Sequence, residues 1–486
     1  MISFVSALLL LILGYVFYGR FVSHVFGVQT DRPTPAYAQT DGVDFVPMPA
    51  WKVYLIQFLN IAGLGPIFGA IMGAKFGTAS YLWIVLGSIF AGGVHDYLSA
   101  MISIRKGGAS ITEIIDEQLG KKVGKVMLVI LMALLILVGA TFTSGPSELL
   151  AKMTGQWGMD AFVWIGIIFC YYVLATVCPV NKIIGKIYPV FGFCMLFMAI
   201  SVMLYILIIQ PELPELWSSG SFINKEWESA PILPLMFITI ACGAISGFHS
   251  TQSTLMARCV TSERVARHCF YGAMLTEGAV TLVWAAAATV FFHEHGVMNP
   301  DTGNAYTGAA VANIICNSWL GTFGGVLAVI GIIVAPISTG DTSLRCARLI
   351  LADFFKYEQK PLLKRFVLAV PVFVLTIALL VWSLTDANGF GKLWRYLSWT
   401  NQLVATITLW AISVYLKKNK KLYWITFAPA VFMTFICTSY IIIAPEGLQL
   451  DYAVGMIAGA VAAVATLIWF VLNHNGEQIV SKEENN

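Results

Sequence analysis

The sequence predicts an all-α polytopic membrane protein of about thirteen transmembrane helices around two inverted five-helix repeats, and three observations carry that expectation. Hydrophobic residues make up 58% of the 486 residues and charged residues only 11%, whereas a soluble domain is about one-quarter charged. Two apolar spans, beginning near 51 and 232, are interrupted halfway across by glycine, proline and polar residues. Lysine and arginine also fall into alternate connecting loops, the pattern that separates the cytoplasmic side of a membrane from the other.

Taken in order, Met1 to Tyr18 is apolar, with no basic stretch before it and no small-residue cleavage pattern before Arg20. It is therefore read as a peripheral helix, 1–22, rather than a cleaved signal. Residues 23–50 contain Asp31-Arg-Pro-Thr-Pro35 and Asp41-Gly-Val-Asp-Phe-Val-Pro47, too rich in proline and acid to span, and form a cytoplasmic loop. The first repeat, 51–210, opens with a span broken at Asn60-Ile-Ala-Gly-Leu-Gly-Pro-Ile-Phe-Gly69 and continues with spans at 79–104, 124–143, 161–178 and 187–210. An external loop, 211–231, leads to the second repeat, 232–416, whose first span is broken at Ala241-Cys-Gly-Ala-Ile-Ser-Gly-Phe-His-Ser-Thr-Gln-Ser253. Its remaining spans are 268–292, 321–344, 366–383 and 394–416, with His293 to Leu320 as an external loop free of Lys and Arg. Two peripheral helices fill 417–473, and 474–486 is a cytoplasmic tail. An odd number of spans per repeat forces the second repeat to run inverted.

The charges test this arrangement separately. With the N-terminus outside and the C-terminus in the cytoplasm, only Lys75, Lys152, Lys225, Lys392 and Arg395 remain outside, so 24 of the 29 basic residues lie inside. A miscount of spans would destroy the alternation.

Other classes find little support. A net charge of +3 with lysines and arginines in short loops gives no surface for a nucleic acid. Nine cysteines without CxxC spacing indicate neither a disulfide framework nor zinc. No GxxxxGK[ST] stretch marks an ATPase domain, and His293-Glu-His295 lacks the spacing that places two metal ligands on one helical face. The expectation is a carrier with no cofactor, partnered by the lipid bilayer and a small solute. An uncoupled channel or facilitator is the alternative, with an intramembrane enzyme behind it. A channel more naturally repeats one filter in each copy of an oligomer, and no constellation of paired catalytic groups supports an enzyme.

The candidate residues follow from polar groups at membrane depth. Gly63, Leu64 and Gly65 in the first break, with Ser246, Gly247, His249 and Gln252 at the second and Asn401 on the tenth core helix, are expected to hold the solute. Half-helix N-termini there favour an anion. Ser338, Thr339 and Ser343 are expected to bind a coupling cation, joined by backbone carbonyls of the first break, if that cation is sodium; helical spacing pairs Thr339 with either Ser343 or Thr342. Asp341, Glu277 or His249 must titrate if it is a proton. Asp341 also stands four residues before Arg345, as in a same-helix ion pair. His95 and Asp96, adjacent on one helix, are expected to point to different faces. His249 has a structural alternative, a ring satisfied by helix-end carbonyls.

Several segments together resemble the carbon starvation protein A (CstA) family of bacterial membrane transporters: Asp41-Gly-Val-Asp-Phe-Val-Pro47, Ile61-Ala-Gly-Leu-Gly-Pro-Ile-Phe-Gly69, Gly92-Gly-Val-His-Asp-Tyr97, Ser103-Ile-Arg-Lys-Gly-Gly-Ala-Ser110, Ala241-Cys-Gly-Ala-Ile-Ser-Gly-Phe-His249 and Trp399-Thr-Asn-Gln402. The resemblance implies ion-coupled import of peptides or pyruvate across the bacterial inner membrane during carbon limitation, and an amino acid is kept as a further candidate solute. It also implies a LeuT-like, APC-type core and favours H+ over Na+ as the coupling ion. The chain departs from long members of that family, which carry further C-terminal helices. Ala335-Pro-Ile-Ser-Thr-Gly-Asp-Thr-Ser-Leu344 is separately similar to the eighth core helix of sodium/solute symporters, where hydroxyls help hold sodium.

Overall fold

A computed structural model describes residues 1–473 other than 43, 178–179, 220, 224–230, 301–302, 304, 358–360 and 387–388, with the backbone alone at 177, 180–189, 323 and 473. The expected tail, 474–486, lies outside the described residues. Among the described residues β-structure is limited to two isolated bridges, Met48 with Val260 and Met298 with Ala305.

The main helices are α1 Ile2–Phe26, α2 Ala50–Ile61, α3 Gly65–Ala74, α4 Ala79–Arg105, α5 Ile111–Leu119, α6 Lys121–Thr154, α7 Ala161–Val177 and α8 Val180–Ile209. They continue with α9 Ile232–Thr239, α10 Gly247–Ala257, α11 Glu263–His295, α12 Gly308–Phe355, α13 Leu362–Thr385, α14 Gly389–Lys418, α15 Trp424–Ile443 and α16 Tyr452–Asn473. Among the described residues nine helices are long and apolar enough to cross a membrane, and α2 with α3, bent by 56° at their break, count as a tenth span. The chain is thus a multi-pass, all-helical membrane protein.

Burial sorts these helices. α4 and α11 are almost wholly enclosed, whereas α1, α13 and α16 present most of their apolar side chains outward. On α1 the residues Phe4, Ala7 and Leu11 face the protein while Ile12, Leu13 and Phe17 face out, the stripe of a helix at the rim of a bundle in lipid. The short helix α5 starts with a capping box: the Ser110 hydroxyl accepts from the Glu113 amide and the Glu113 carboxylate accepts from the Ser110 amide.

Both interrupted spans are broken. α2 ends at Ile61 and the helix resumes at Gly65; α9 ends at Thr239 and α10 begins at Gly247, leaving 240–246 non-helical. The second break lies a few residues earlier than the polar stretch that announces it, because Ser250 and Thr251 bond back to the carbonyls of Gly247 and Phe248 and remain in helix. The two breaks touch. A Cβ added at Gly65 would fall 2.2 Å from Cys242 Cβ, and one at Gly73 would fall 2.3 Å from Ile240 Cγ1.

Several helices outrun their apolar windows, and the stretch expected to be an external loop from His293 to Leu320 is partly helical. α12 begins at Gly308 and turns at Gly321, whose φ of +65° suits glycine. The polar residues Asn313, Asn317 and Ser318 on that first segment hid it from a hydropathy reading.

At Gly247 a Cβ would lie 2.4 Å from the Asn401 carbonyl oxygen and 2.5 Å from the Ala405 amide nitrogen, both backbone atoms that cannot swing away. Gly247→Ala is therefore expected to destabilise the protein by about 1–3 kcal/mol, read as a lowered melting temperature in detergent. Gly155→Ala, with nothing within 4 Å, serves as the neutral comparison, and equal melting of the two variants would refute the tight crossing of α10 and α14.

Candidate functional site

Non-helical backbone in an apolar interior needs partners for its freed N–H and C=O groups. At the second break they come from α4 and α14. Trp83 Nε1 donates to the Ile240 carbonyl at 3.2 Å, Ser88 Oγ to the Gly243 carbonyl at 3.0 Å, and Gln402 Nε2 to the Ala241 carbonyl at 3.2 Å. On the other side of the break, Asn401 Oδ1 accepts from the Phe248 amide at 2.8 Å and from Ser246 Oγ at 3.1 Å. Two consecutive amides on α14 thus serve both ends of the interruption, one as donor and one as acceptor. Asn401 occupies the half-helix N-terminus, the place the sequence assigns to an anionic solute.

The first break is served by α12. Ser338 Oγ and Thr339 Oγ1 each reach two carbonyls, those of Leu59 (3.3 and 3.2 Å) and Ala335 (2.7 and 3.2 Å). Thr342 Oγ1 lies 3.1 Å from Asn60 Oδ1 and 2.9 Å from Asp341 Oδ1. Gly63 lies against Thr339 and Phe142, and Gly65 against Cys242. Hydroxyls and carbonyls of this kind, all buried, are hard oxygen donors suited to a small cation.

Beside the second break is a cluster of ionisable groups with no exposure. His249, in the first turn of α10, holds Nδ1 at 3.0 Å from Asp96 Oδ2 and Nε2 at 3.4 Å from Glu277 Oε2. Asp96 Oδ1 is also 2.8 Å from His95 Nδ1. α4 reaches this point through a π-helical turn, Ser88–Gly92, and α11 through another, Arg267–Gly272; such turns recur at functional sites. The Ile89 carbonyl inside the first of them accepts from Tyr271 Oη, inside the second, at 2.9 Å.

Several expectations change. His95 and Asp96 do not point apart; the Asp96 carboxylate joins both histidines. Ser343 Oγ turns to the Gly340 carbonyl of its own helix at 2.8 Å, and Thr342 takes the position facing the first break. Apart from these changes, Asp341 accepts from Tyr171 Oη at 2.6 Å and from Thr342, and the Arg345 guanidinium four residues on donates to the Ala175 carbonyl. Gln252 lies a turn beyond His249, its amide 3.0 Å from Thr251 Oγ1 and 3.4 Å from Cys346 Sγ. It borders a cleft lined by Ser110, Thr251, Thr254, Arg258, Cys346 and Asp353 rather than the breaks themselves. Ser88, Trp83, Cys242 and Tyr171 were not legible as participants, since nothing in their local sequence separates them from ordinary helix residues.

Two touching helix breaks inside a multi-pass bundle, with buried ionisable groups and hydroxyls beside them, define a secondary transporter, and comparisons with known proteins agree. The family model described as "Carbon starvation protein CstA" matches residues 1–159, 149–327 and 304–440. The chain belongs to the CstA family. An uncharacterized membrane protein of Haemophilus influenzae is 40% identical over 339 residues, covering 60% of this chain and 91% of that protein. The peptide transporter CstA of Bacillus subtilis is 26% identical over 505 residues, 83% of each chain. The pyruvate/proton symporter BtsT of Escherichia coli is 26% identical over 348 residues, covering 57% of this chain and 48% of that one. Among solved structures, a point mutant of the manganese transporter of Eremococcus coleocola aligns with a TM-score of 0.57 at 13% identity, over 89% of this chain and 98% of that one. A Na+-coupled sialic acid symporter aligns with a TM-score of 0.56 at 12% identity, over 97% and 99%. At such identities these two alignments establish the shared fold.

Removing the Asn401 acceptor leaves the Phe248 amide without its partner at the start of α10. Asn401→Ala is expected to cost about 0.5–2 kcal/mol, the usual range for a lost helix cap, and to speed backbone hydrogen exchange around residues 247–249 while leaving α16 unchanged. Unaltered exchange there would place the cap elsewhere.

Proposed function

We propose that this chain is an ion-coupled importer of a small organic solute, binding it between the two helix breaks. The observation that carries the reading is the contact of the breaks, Gly65 against Cys242, which brings both sets of freed backbone groups to one place, as in carriers that bind their solute near mid-membrane. Pyruvate, short peptides and amino acids are the solutes we favour, in keeping with the names of the relatives. The binding residues proposed are Gly63, Leu64, Gly65, Ser246, Gly247, His249 and Asn401, with Gln252 on the route toward the cleft at Arg258.

The topology proposed is thirteen spans, with repeats 51–210 and 232–416 inverted relative to each other. Setting aside the nine-residue α5, five helical units run from α2/α3 to α8 and five more from α9/α10 to α14, which supports that division. The charge alternation supports a bacterial inner-membrane location with the N-terminus outside. The chain requires no cofactor in this reading.

We favour H+ as the coupling ion. A sodium reading has its own observation, the convergence of the Ser338 and Thr339 hydroxyls on the Leu59 and Ala335 carbonyls, with Asp341 and Thr342 one turn on.

Purified protein in proteoliposomes, given labelled pyruvate or alanyl-alanine under separate pH and sodium gradients, tests the proposal. Uptake against a concentration gradient, driven by one ion and abolished by its ionophore, is the expected result; flux that only equilibrates the solute would make the protein a facilitator. If sodium drives uptake, Ser338→Ala and Thr339→Ala should each raise the sodium concentration for half-maximal uptake about tenfold or more, the loss of one good ligand of about 1.4 kcal/mol.

A further inference from the structure

We infer that Asp96, His249 and Glu277 form a single proton-binding relay, in which His249 bridges two carboxylates and the proton that drives transport is held on the His249–Glu277 side. The inference rests on the importer reading and deepens it by naming the atoms that carry the coupling ion.

The argument begins with valence. A neutral imidazole has one N–H and one lone pair. If the N–H sits on Nδ1 it serves Asp96 Oδ2 at 3.0 Å, and a bare Nε2 is then left 3.4 Å from Glu277 Oε2, close to it but short of a hydrogen bond. An ionised Glu277 would repel it. Two arrangements remove the repulsion: an imidazolium donating toward both carboxylates, or a neutral ring facing a protonated Glu277. Either holds one proton more than a neutral histidine between two carboxylates. The proximity of these unpaired atoms therefore favours a shared proton, whichever nitrogen carries it.

The surroundings decide how many protons the loaded state holds. α4 contributes His95 and Asp96, α10 contributes His249, α11 contributes Glu277, and the break contributes the Cys242 thiol, 3.6 Å from Asn401 Nδ2. The ion-pair partners within 4 Å of the Asp96 and Glu277 carboxylates, among the described residues, are the imidazoles of His95 and His249. Asp96, His249 and Glu277 are all without exposure. With one shared proton the trio carries one net negative charge in a buried, low-dielectric setting, which is costly. A second proton, making Asp96 anionic, His249 cationic and Glu277 neutral, brings the trio to zero. The loaded, neutral cluster is the form that can pass through an enclosed state, and the deprotonated form needs water on one side or the other.

Position ties the relay to the solute. His249 follows Phe248, whose amide is capped by Asn401, so proton and cap share one helical turn. On α11, Thr281 bonds back to the Glu277 carbonyl at 2.8 Å and its side chain lies against Gly243. Rearrangement of the break on solute binding therefore moves both partners of the loose link, and the proton passes from water on one side to the Glu277 carboxyl and on to water on the other. No electron transfer is involved.

The experiment uses the full-length protein in proteoliposomes with pyruvate and alanyl-alanine as probes and the membrane potential clamped. A gradient of about one pH unit sustains at most about tenfold accumulation per coupled proton. Glu277→Gln and Asp96→Asn, neither of them among the proposed binding residues, are expected to abolish pH-driven accumulation while retaining solute exchange at zero gradient, which also reports a folded carrier. Accumulation surviving in both variants overturns the relay and leaves the importer intact, as does wild-type uptake driven by sodium and indifferent to pH. Absence of exchange for both probes in the wild type overturns the importer reading itself. Should the variants lose exchange too, calorimetry of pyruvate binding to wild type in two buffers of different ionisation enthalpy decides. Proton uptake on binding supports the relay, and its absence overturns it.

Discussion

The need to satisfy backbone groups where two helices stop inside an apolar protein governs this structure. A continuous membrane helix requires nothing of its neighbours, whereas an interrupted one exposes donors at one edge and acceptors at the other. The second break obtains three side-chain donors for its carbonyls, from Trp83, Ser88 and Gln402, and one acceptor for its amides, from Asn401. The first break obtains hydroxyls from Ser338 and Thr339. The polar residues of α4, α12 and α14 are thus placed by the breaks, and those helices are enclosed because their polar side chains have work away from lipid.

The same requirement separates two chemistries that the sequence offers together. Oxygen donors collect at the first break, from α2 and α12, and ionisable groups collect at the second, from α4, α10 and α11. A hard cation needs oxygens without a labile proton, and a transported proton needs groups that exchange one near neutral pH, of which histidine is the natural choice. Asp341 belongs to the oxygen-rich side, held by Tyr171 and Thr342, while Glu277 belongs to the other. Grouping them as alternatives for one role, as sequence position alone encourages, conceals that they lie on different breaks.

What could be read from the chain depended on how local the signal was. Glycine, proline and polar residues inside apolar windows announced both interruptions, and the amides of Asn401 and Gln402 marked α14 as inward-facing. The partners of those residues were not legible, because Asp96, His249 and Glu277 come from three helices and meet only through tertiary packing. Adjacent helix positions diverge by about 100°, which argued against His95 and Asp96 acting together; their side chains nonetheless meet because one carboxylate has two oxygens, one for each imidazole. The start of α12 was missed for the opposite reason, its asparagines and serine resembling a loop.

Gly247 shows how the parts depend on one another. It allows α10 to approach the α14 backbone closely enough for Asn401 to cap Phe248, and that approach fixes the rotation of the first turn of α10. His249 is two residues on, so the same rotation aims its ring between Asp96 and Glu277. A movement of α14 away from α10 would release the cap and turn the imidazole together, since a single helical turn cannot rotate one residue without the next. Solute access and proton affinity are on this account consequences of one contact, and a carrier built this way needs no separate element to link them.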